Sequence, residues 1–161
     1  MHTIFTETQR FTQWWLWMLI LGTAAFPIFG LYKQILLGEP YGDNPMSDAG
    51  LIVASILIFT VVILFLIIRL KTVINSHEIG LLFFPFTQNK VKWEDVKDAK
   101  VVKYGFVGYG IRLWTKYGTV YNIKGNNGLA IELKNGSKLL IGTQREIELK
   151  EFLNRLKKQT E

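Results

Sequence analysis

Residues 11–32 read FTQWWLWMLILGTAAFPIFGLY and residues 49–68 read AGLIVASILIFTVVILFLII, runs of 22 and 20 residues without Asp, Glu, Lys or Arg. About 20 helical residues, at 1.5 Å each, cross a hydrocarbon core about 30 Å thick, so each run is long enough to span a membrane. The buried helix of a water-soluble domain can have the same composition, but two such runs joined by a short polar segment favour a transmembrane hairpin. Thr23-Ala24-Ala25 give the first run some likeness to a signal peptide. Against that stand Glu7, the single firm cation Arg10, and a run longer than the apolar part of most signals. The first segment is read as a retained helix.

Around these runs the residues fit a membrane setting. Trp14, Trp15 and Trp17 cluster at the start of the first helix, where indole rings settle at headgroup level, and they are the expected membrane-interface anchors. Pro27 is tolerated in a spanning helix whose neighbours re-satisfy the backbone. Gly22, Ala24 and Ala25 in one helix, and Gly50, Ala54 and Ser55 in the other, would permit close approach and could support a homo-oligomer. The segment 33–48 is rich in Gly, Pro, Asn and Asp, a turn composition, and Ser47 or Asp48 suits the N-cap of the second helix. Arg10, Arg69 and Lys71 on one side outnumber Lys33 on the other, which places both termini in the cytoplasm and segment 33–48 outside. Neither helix has an ionisable residue in its interior, so an ion or proton relay is not expected. The expected organisation is a transmembrane hairpin over residues 1–70, with helices at about 11–32 and 49–70, in the inner (cytoplasmic) membrane, followed by a cytoplasmic domain over residues 71–161.

From Lys71 onward the chain carries 16 Lys and Arg against 9 Asp and Glu, and eight of its 14 glycines lie between Gly105 and Gly142. Glycines at such intervals look like turns between strands. Strand-like runs occupy 72–75, 78–84, 99–104, 111–116 and 120–123. In 111–116, Ile111, Leu113 and Thr115 alternate with Arg112, Trp114 and Lys116. Asn135-Gly136 between two further runs predicts a type I′ hairpin with a two-residue loop, which sets Ile131 opposite Leu140. Thr143-Gln144-Arg145-Glu146 reads as a capping box, and Leu149, Phe152, Leu153 and Leu156 then form one apolar helical stripe. Glu146 with Lys150 and Glu151 with Arg155 have ion-pair spacing. The fold class expected is α+β with a membrane anchor: six or seven short antiparallel strands in a barrel or sandwich, closed by a C-terminal helix.

That order of strands and helix resembles the PH-like superfold. The whole chain resembles uncharacterised bacterial membrane proteins that place a PH-like domain directly after a two-helix hairpin. The residues carrying the likeness are FTQWWLW at 11–17, GYGIR at 108–112, YNIKGN at 121–126, and the segment from Gly128-Leu129 through Ile141-Gly142-Thr143-Gln144. The resemblance implies a fold and a location but no ligand. Phosphoinositide-binding PH domains usually gather basic residues at the first hairpin; here it reads Ile74-Asn75-Ser76-His77-Glu78-Ile79, without Lys or Arg.

Little in the sequence points to chemistry. Cysteine is absent, which excludes disulfides and thiolate metal sites. His77 has no Cys, Asp or second His at ligand spacing. Glu94, Asp95 and Asp98 read as a solvated face, and no phosphate-binding glycine motif leads into a helix. No catalytic, cofactor-binding or metal residues are expected, and no cofactor. The expected function is a non-enzymatic interaction or scaffold module at the cytoplasmic face of the membrane, with a protein partner. Phe106, Tyr109, Arg112, Tyr121 and Asn126 are the candidate interaction surface. The alternative is a module for anionic lipid headgroups, driven by basic residues near the bilayer. Residues Leu81-Leu82-Phe83-Phe84-Pro85-Phe86 could dip into that interface, or could be strand core. Nucleic acid is not expected, since the charge is spread rather than striped.

Overall fold

The computed structural model describes residues 4–105 and 108–160. They form two units: residues 12–67, and a strand-rich body from the residues before 12 and after 67.

The first unit is a helical hairpin. Helix α1 (Trp14–Leu31) runs on through a π-helical turn (Tyr32–Leu36), and α2 covers Asp48–Ile67. Both are long and apolar enough to cross a membrane, at 23 residues counting the π turn and 20 residues. The buried residues of α1 are Ile20, Ala24, Pro27 and Gly30, one stripe at helical spacing, and those of α2 are Leu51 and Ser55. Of the small residues expected at a close approach, Ala24 and Ser55 are buried whereas Gly22 and Ala25 are exposed. The Ser55 hydroxyl donates to the Leu51 carbonyl at 2.6 Å, which satisfies it within the helix. The Gly50 N–H donates to the Ser47 hydroxyl at 3.2 Å, so Ser47 caps α2.

The second unit holds two sheets. In the first, β1 (Phe5–Arg10), β2 (Arg69–Ile74), β3 (Glu78–Phe84) and β4 (Thr87–Lys92) lie side by side, all antiparallel. Strand β1 is not anticipated by the sequence reading, which gives its residues to the hairpin. Phe5, Glu7 and Gln9 are buried while Thr6, Thr8 and Arg10 are exposed. Two of the three inward side chains are polar, so the apolar alternation that marks a half-buried strand is missing. Arg69 and Leu70, also given to the hairpin by the sequence, open β2.

The second sheet contains β5 (Val96–Lys103), β6 (Gly110–Thr115), β7 (Gly118–Asn122), β8 (Asn127–Leu133) and β9 (Lys138–Thr143), in the order β5-β8-β9-β7-β6. It is mixed: β7 runs parallel to β9, with Thr119 beside Leu139 and Tyr121 beside Ile141. The close approach explains Gly118, where a Cβ would stand 1.9 Å from the Lys138 carbonyl oxygen. Of the expected antiparallel barrel or sandwich, the closed barrel is not formed among the described residues and the strands are not all antiparallel. The described residues form nine strands in two sheets, one pair parallel, and β5 and β6 end the second sheet without meeting. Between the sheets a single 3-10 turn, Trp93–Asp95, redirects the chain, and its Trp93 indole N–H donates to the Asn75 carbonyl at 2.7 Å.

Three local expectations change as well. The β8–β9 connection has a three-residue loop, and Ile131 lies opposite Leu139 rather than Leu140. The Gly136 N–H donates to the Leu133 carbonyl at 2.9 Å, and in this turn only Gly136 has positive φ, at 85°. That is a type I turn with a bulge glycine, one residue longer than the type I′ alternative. In β6 the alternation breaks at a bulge between Arg112 and Thr115, where Trp114 has φ 54°. Leu113 and Trp114 are consequently both exposed. The last helix, α3, covers Glu146–Thr160. Thr143 still belongs to β9, and its hydroxyl accepts the Arg145 N–H at 3.0 Å while donating to Glu7, so the expected capping box is not formed.

The core takes Phe5, Leu70, Ile74, Ile79, Leu81 and Phe83 from the first sheet, Tyr121, Leu129, Ile131 and Ile141 from the second, and Leu149, Phe152 and Leu153 from α3. The Phe83 and Tyr121 rings join the sheets at 6.4 Å between centroids, and Phe5 meets Phe152 at 6.0 Å. The Glu146–Lys150 pair forms as expected, at 2.5 Å.

Candidate interaction surface

An edge strand presents unpaired N–H and C=O groups to anything that can add a strand, and proteins normally obstruct such edges. The two sheets end in β1 and β4, and in β5 and β6. Strand β4 carries Lys90 and Lys92; β5 carries Lys97, Lys100 and Lys103. Lys90 pairs with Glu78 at 3.0 Å and Lys97 with Glu132 at 2.7 Å. The hydrogen bond from Lys97, and behind it the charges of Lys97 and Lys138, hold the Glu132 carboxyl below its usual range. These edges have the charged side chains that discourage pairing.

Strand β1 is closed by side chains. Glu7 is only 5% exposed, yet both its oxygens accept: one from the Thr143 hydroxyl at 2.6 Å, the other from the Gln144 N–H at 2.7 Å. The Gln9 amide donates to the Gly142 carbonyl at 2.6 Å, and Arg145 donates to the Thr6 carbonyl at 2.8 Å. The Arg145 guanidinium also lies 5.4 Å from the centroid of the Phe5 ring. These contacts tie the first sheet to the end of β9 across more than 130 residues of sequence.

Strand β6 has no lysine and no side-chain clamp; its one charged side chain is Arg112. Among the described residues no strand pairs with its outer edge, and its middle is Arg112, Leu113 and Trp114, all exposed. Trp114 is 95% exposed on a left-handed backbone conformation, which costs a non-glycine residue on the order of 1 kcal/mol. A large apolar ring in water on strained backbone contributes nothing visible to folding.

The residues proposed from sequence scatter around this edge. Phe106 lies outside the described residues. Arg112 is exposed on β6, with its guanidinium lying where a Cβ on Gly108 would meet it at 2.8 Å. Tyr109 is half-buried, next to the start of β6. Asn126 is exposed, and its backbone carbonyl accepts the Tyr104 N–H at 2.8 Å. Tyr121 is interior, in the core contact with Phe83 already described, and offers no surface. Buried Asn122 organises the loop by donating to the carbonyls of Gly108 at 3.3 Å and Gly125 at 3.2 Å. Trp14, Trp15 and Trp17 occupy the first turn of α1, with Trp14 and Trp15 exposed. The sequence reading missed Leu113 and Trp114 as a surface pair, because strict alternation assigns them to opposite faces; only the bulge brings both into solvent.

A hollow of about 480 Å³ beside α3 is lined by Thr6, Arg145, Glu148, Glu151 and Arg155 among others, but its Arg145 and Glu148 bind each other. The acidic turn is dispersed into ion pairs: Glu94 with Lys92 at 3.0 Å, and Asp98 with Lys100 at 3.1 Å. His77 is exposed in its turn, its N–H donating to the Asn75 side chain at 2.8 Å. Among the described residues no three His, Cys, Asp or Glu side chains converge. Compared with known proteins, the chain matches no family model and no curated protein.

Proposed function

We propose that this chain is a membrane-anchored, non-enzymatic interaction module, with α1 and α2 spanning the cytoplasmic membrane and a PH-like body on the cytoplasmic side. The anchor reading rests on the apolar exteriors of the two helices, where Leu19, Phe26, Phe29, Ile56 and Leu57 are all exposed. A helix apolar all round is stable only when lipid or another apolar body covers it. The orientation rests on Arg10, Arg69 and Lys71 against Lys33. The PH-like reading rests on successive antiparallel hairpins followed by a C-terminal helix over the core.

The observation that carries the interaction reading is β6, the one edge among the four without a lysine guard or a side-chain clamp. The partner it fits is an extended protein segment that adds as a strand. Such a segment would place an apolar side chain against Leu113 and Trp114, and acidic ones near Arg112 and Lys116.

A photocrosslinking residue at Trp114 of the full-length protein in intact cells tests this. One discrete protein adduct is expected, lost on Leu113→Lys, with none from the same probe at Lys90 on β4. Adducts to phospholipid alone, or equal adducts from both positions, would overturn the strand-addition reading. The anchor and orientation are tested separately: a cysteine at Asn44 should react with a membrane-impermeant reagent in intact cells, and one at Asn135 should not.

A further inference from the structure

Arg10, Arg69 and Lys71 are far apart in sequence but adjacent in the first sheet. Pairing of β1 with β2 sets Arg10 directly opposite Arg69, and Thr8 opposite Lys71. Side chains two apart on a strand share a face, so Arg69 and Lys71 point the same way as Arg10. Like charges placed opposite one another across an antiparallel pair are destabilising. Among the described residues none of the three forms an ion pair. Arg69 is also fixed in place: its guanidinium lies 5.2 Å from the centroid of the Phe84 ring, and its buried Nε has no hydrogen-bond partner among the described residues. A buried guanidinium N–H left unpaired costs more than a neutral donor would. Three unneutralised cations, one with an unpaired donor, are an arrangement completed by an anion.

The chain itself says which anion is at hand. It leaves the sheet at Arg10 and enters α1 four residues later, and it leaves α2 at Ile67 and re-enters the sheet at Arg69. The register places Phe84 opposite Arg69, so the β3–β4 turn, with exposed Phe84 and Phe86, lies at this same end of the sheet. Cations interleaved with exposed aromatic rings, a few residues from two membrane-length helices, match the polar–apolar boundary of a bilayer.

We propose that Arg10, Arg69 and Lys71 form a binding site for the phosphate of an anionic phospholipid headgroup. The guanidinium forks of the two arginines take the phosphate oxygens, as planar donors do, and Lys71 adds a point charge. The site rests on the membrane-anchor reading and is independent of the β6 edge. It gives the residues that set the orientation a second role, since the strand pairing gathers a charge bias into a cluster for one charged group.

The test uses full-length protein in phosphatidylcholine nanodiscs doped with phosphatidylglycerol, with retained lipid read by native mass spectrometry. The wild type should retain phosphatidylglycerol over phosphatidylcholine. R10Q and R69Q should each lower that preference about fivefold, the worth of one headgroup-level cation, and Lys134→Gln on the β8–β9 turn should leave it unchanged. Should R69Q fold poorly, R10Q on the exposed face of β1 carries the test. A second readout has opposite signs in two lipids: R10Q should raise the melting temperature in phosphatidylcholine, by relieving the opposed charges, and lower it with phosphatidylglycerol. Equal retention of both lipids by the wild type would overturn the site, as would an R10Q/R69Q double variant with unchanged preference. Displacement of the lipid by millimolar inorganic phosphate would assign the site to a soluble anion and overturn it as a lipid site. Release of the protein from native membranes by alkaline carbonate would remove the anchor reading and the site with it; retention in carbonate without lipid preference sinks the site alone.

Discussion

Strands β1 and β6 are both edge strands of six residues, each with a mixture of polar and apolar side chains, and the molecule treats them in opposite ways. Strand β1 turns Glu7 and Gln9 inward and fixes them on Gly142, Thr143 and Gln144. Strand β6 turns Leu113 and Trp114 outward and leaves them in water. Both carboxylate oxygens of Glu7 and the amide nitrogen of Gln9 have partners, the condition under which buried polar groups stabilise rather than penalise a fold, while the buried Gln9 Oε1 has none among the described residues. Exposed apolar groups of β6 have no such return within the described residues. An edge closed by a specific hydrogen-bond network is part of the folded body; an edge open and apolar is available to something else.

The largest expected effect follows from breaking β1. Glu7→Ala removes the acceptor of both the Thr143 hydroxyl and the Gln144 N–H, leaving two polar groups short of partners, and should cost about 3 kcal/mol of stability. Leu113→Lys on β6, which removes no described contact, should change stability by less than about 0.5 kcal/mol. Denaturant melts of the full-length protein in detergent would read both. Equal effects from the two variants would erase the distinction between the edges.

The sequence makes some of this legible and hides the rest for identifiable reasons. The two helices are plain because each is a long run without charge, and α3 because Leu149, Phe152 and Leu153 recur at helical spacing and are buried. Strand β4, TQNKVK, is hidden by its polarity: as an edge it buries only Val91 and half-buries Thr87. Strand β1 is hidden because two of its three inward residues are Glu7 and Gln9, whose partners are Gly142, Thr143 and Gln144, where no local pattern points. The parallel pairing of β7 with β9 has one trace in the sequence, Gly118, but a glycine in a turn reads the same with or without a close neighbour. Of the candidate surface residues, Arg112 lies on the open edge, while Tyr121 is core because its partner Phe83 comes from the other sheet. Trp114 required the bulge, and a bulge is a register event that a single strand does not announce.

The contrast between satisfied and unsatisfied groups extends inside. Tyr104 is buried against Val120 and Leu140, and its ring lies 3.0 Å from where Gly128 would carry a Cβ. Unlike the carboxyl of Glu7, its hydroxyl has no partner among the described residues. Tyr104→Phe should therefore stabilise the body by about 1 kcal/mol. Burial pushes the Tyr104 hydroxyl from its ordinary 10.0 up to about 12. The unfolded chain then releases this proton first, so wild-type stability should fall as the pH rises from 10 towards 12. Burial also raises Tyr121, so Tyr104→Phe should make that fall shallower without abolishing it. Melting curves of both proteins across this range would decide, and an unchanged slope would mean that the Tyr104 hydroxyl reaches water.

The smallest expected effect is the most direct probe of β6. Trp114 stands at φ 54° and is 95% exposed, so its side chain recovers almost no burial to offset the backbone conformation. Glycine adopts that φ freely, though it loses more chain entropy on folding. The two terms oppose each other, and relief of strain should leave Trp114→Gly more stable by about 0.5 kcal/mol. Removing the buried Glu7 of β1 should lower stability, whereas deleting the largest side chain of β6 should raise it slightly. A residue that a protein keeps at a cost to its own fold is accounted for by contacts outside that fold. With the photocrosslinking residue moved to Leu113, Trp114→Gly should reduce the partner adduct while the melt improves. If Trp114→Gly instead lost more than about 1 kcal/mol, the ring would be packing on the protein itself, and β6 would be a closed edge like β1.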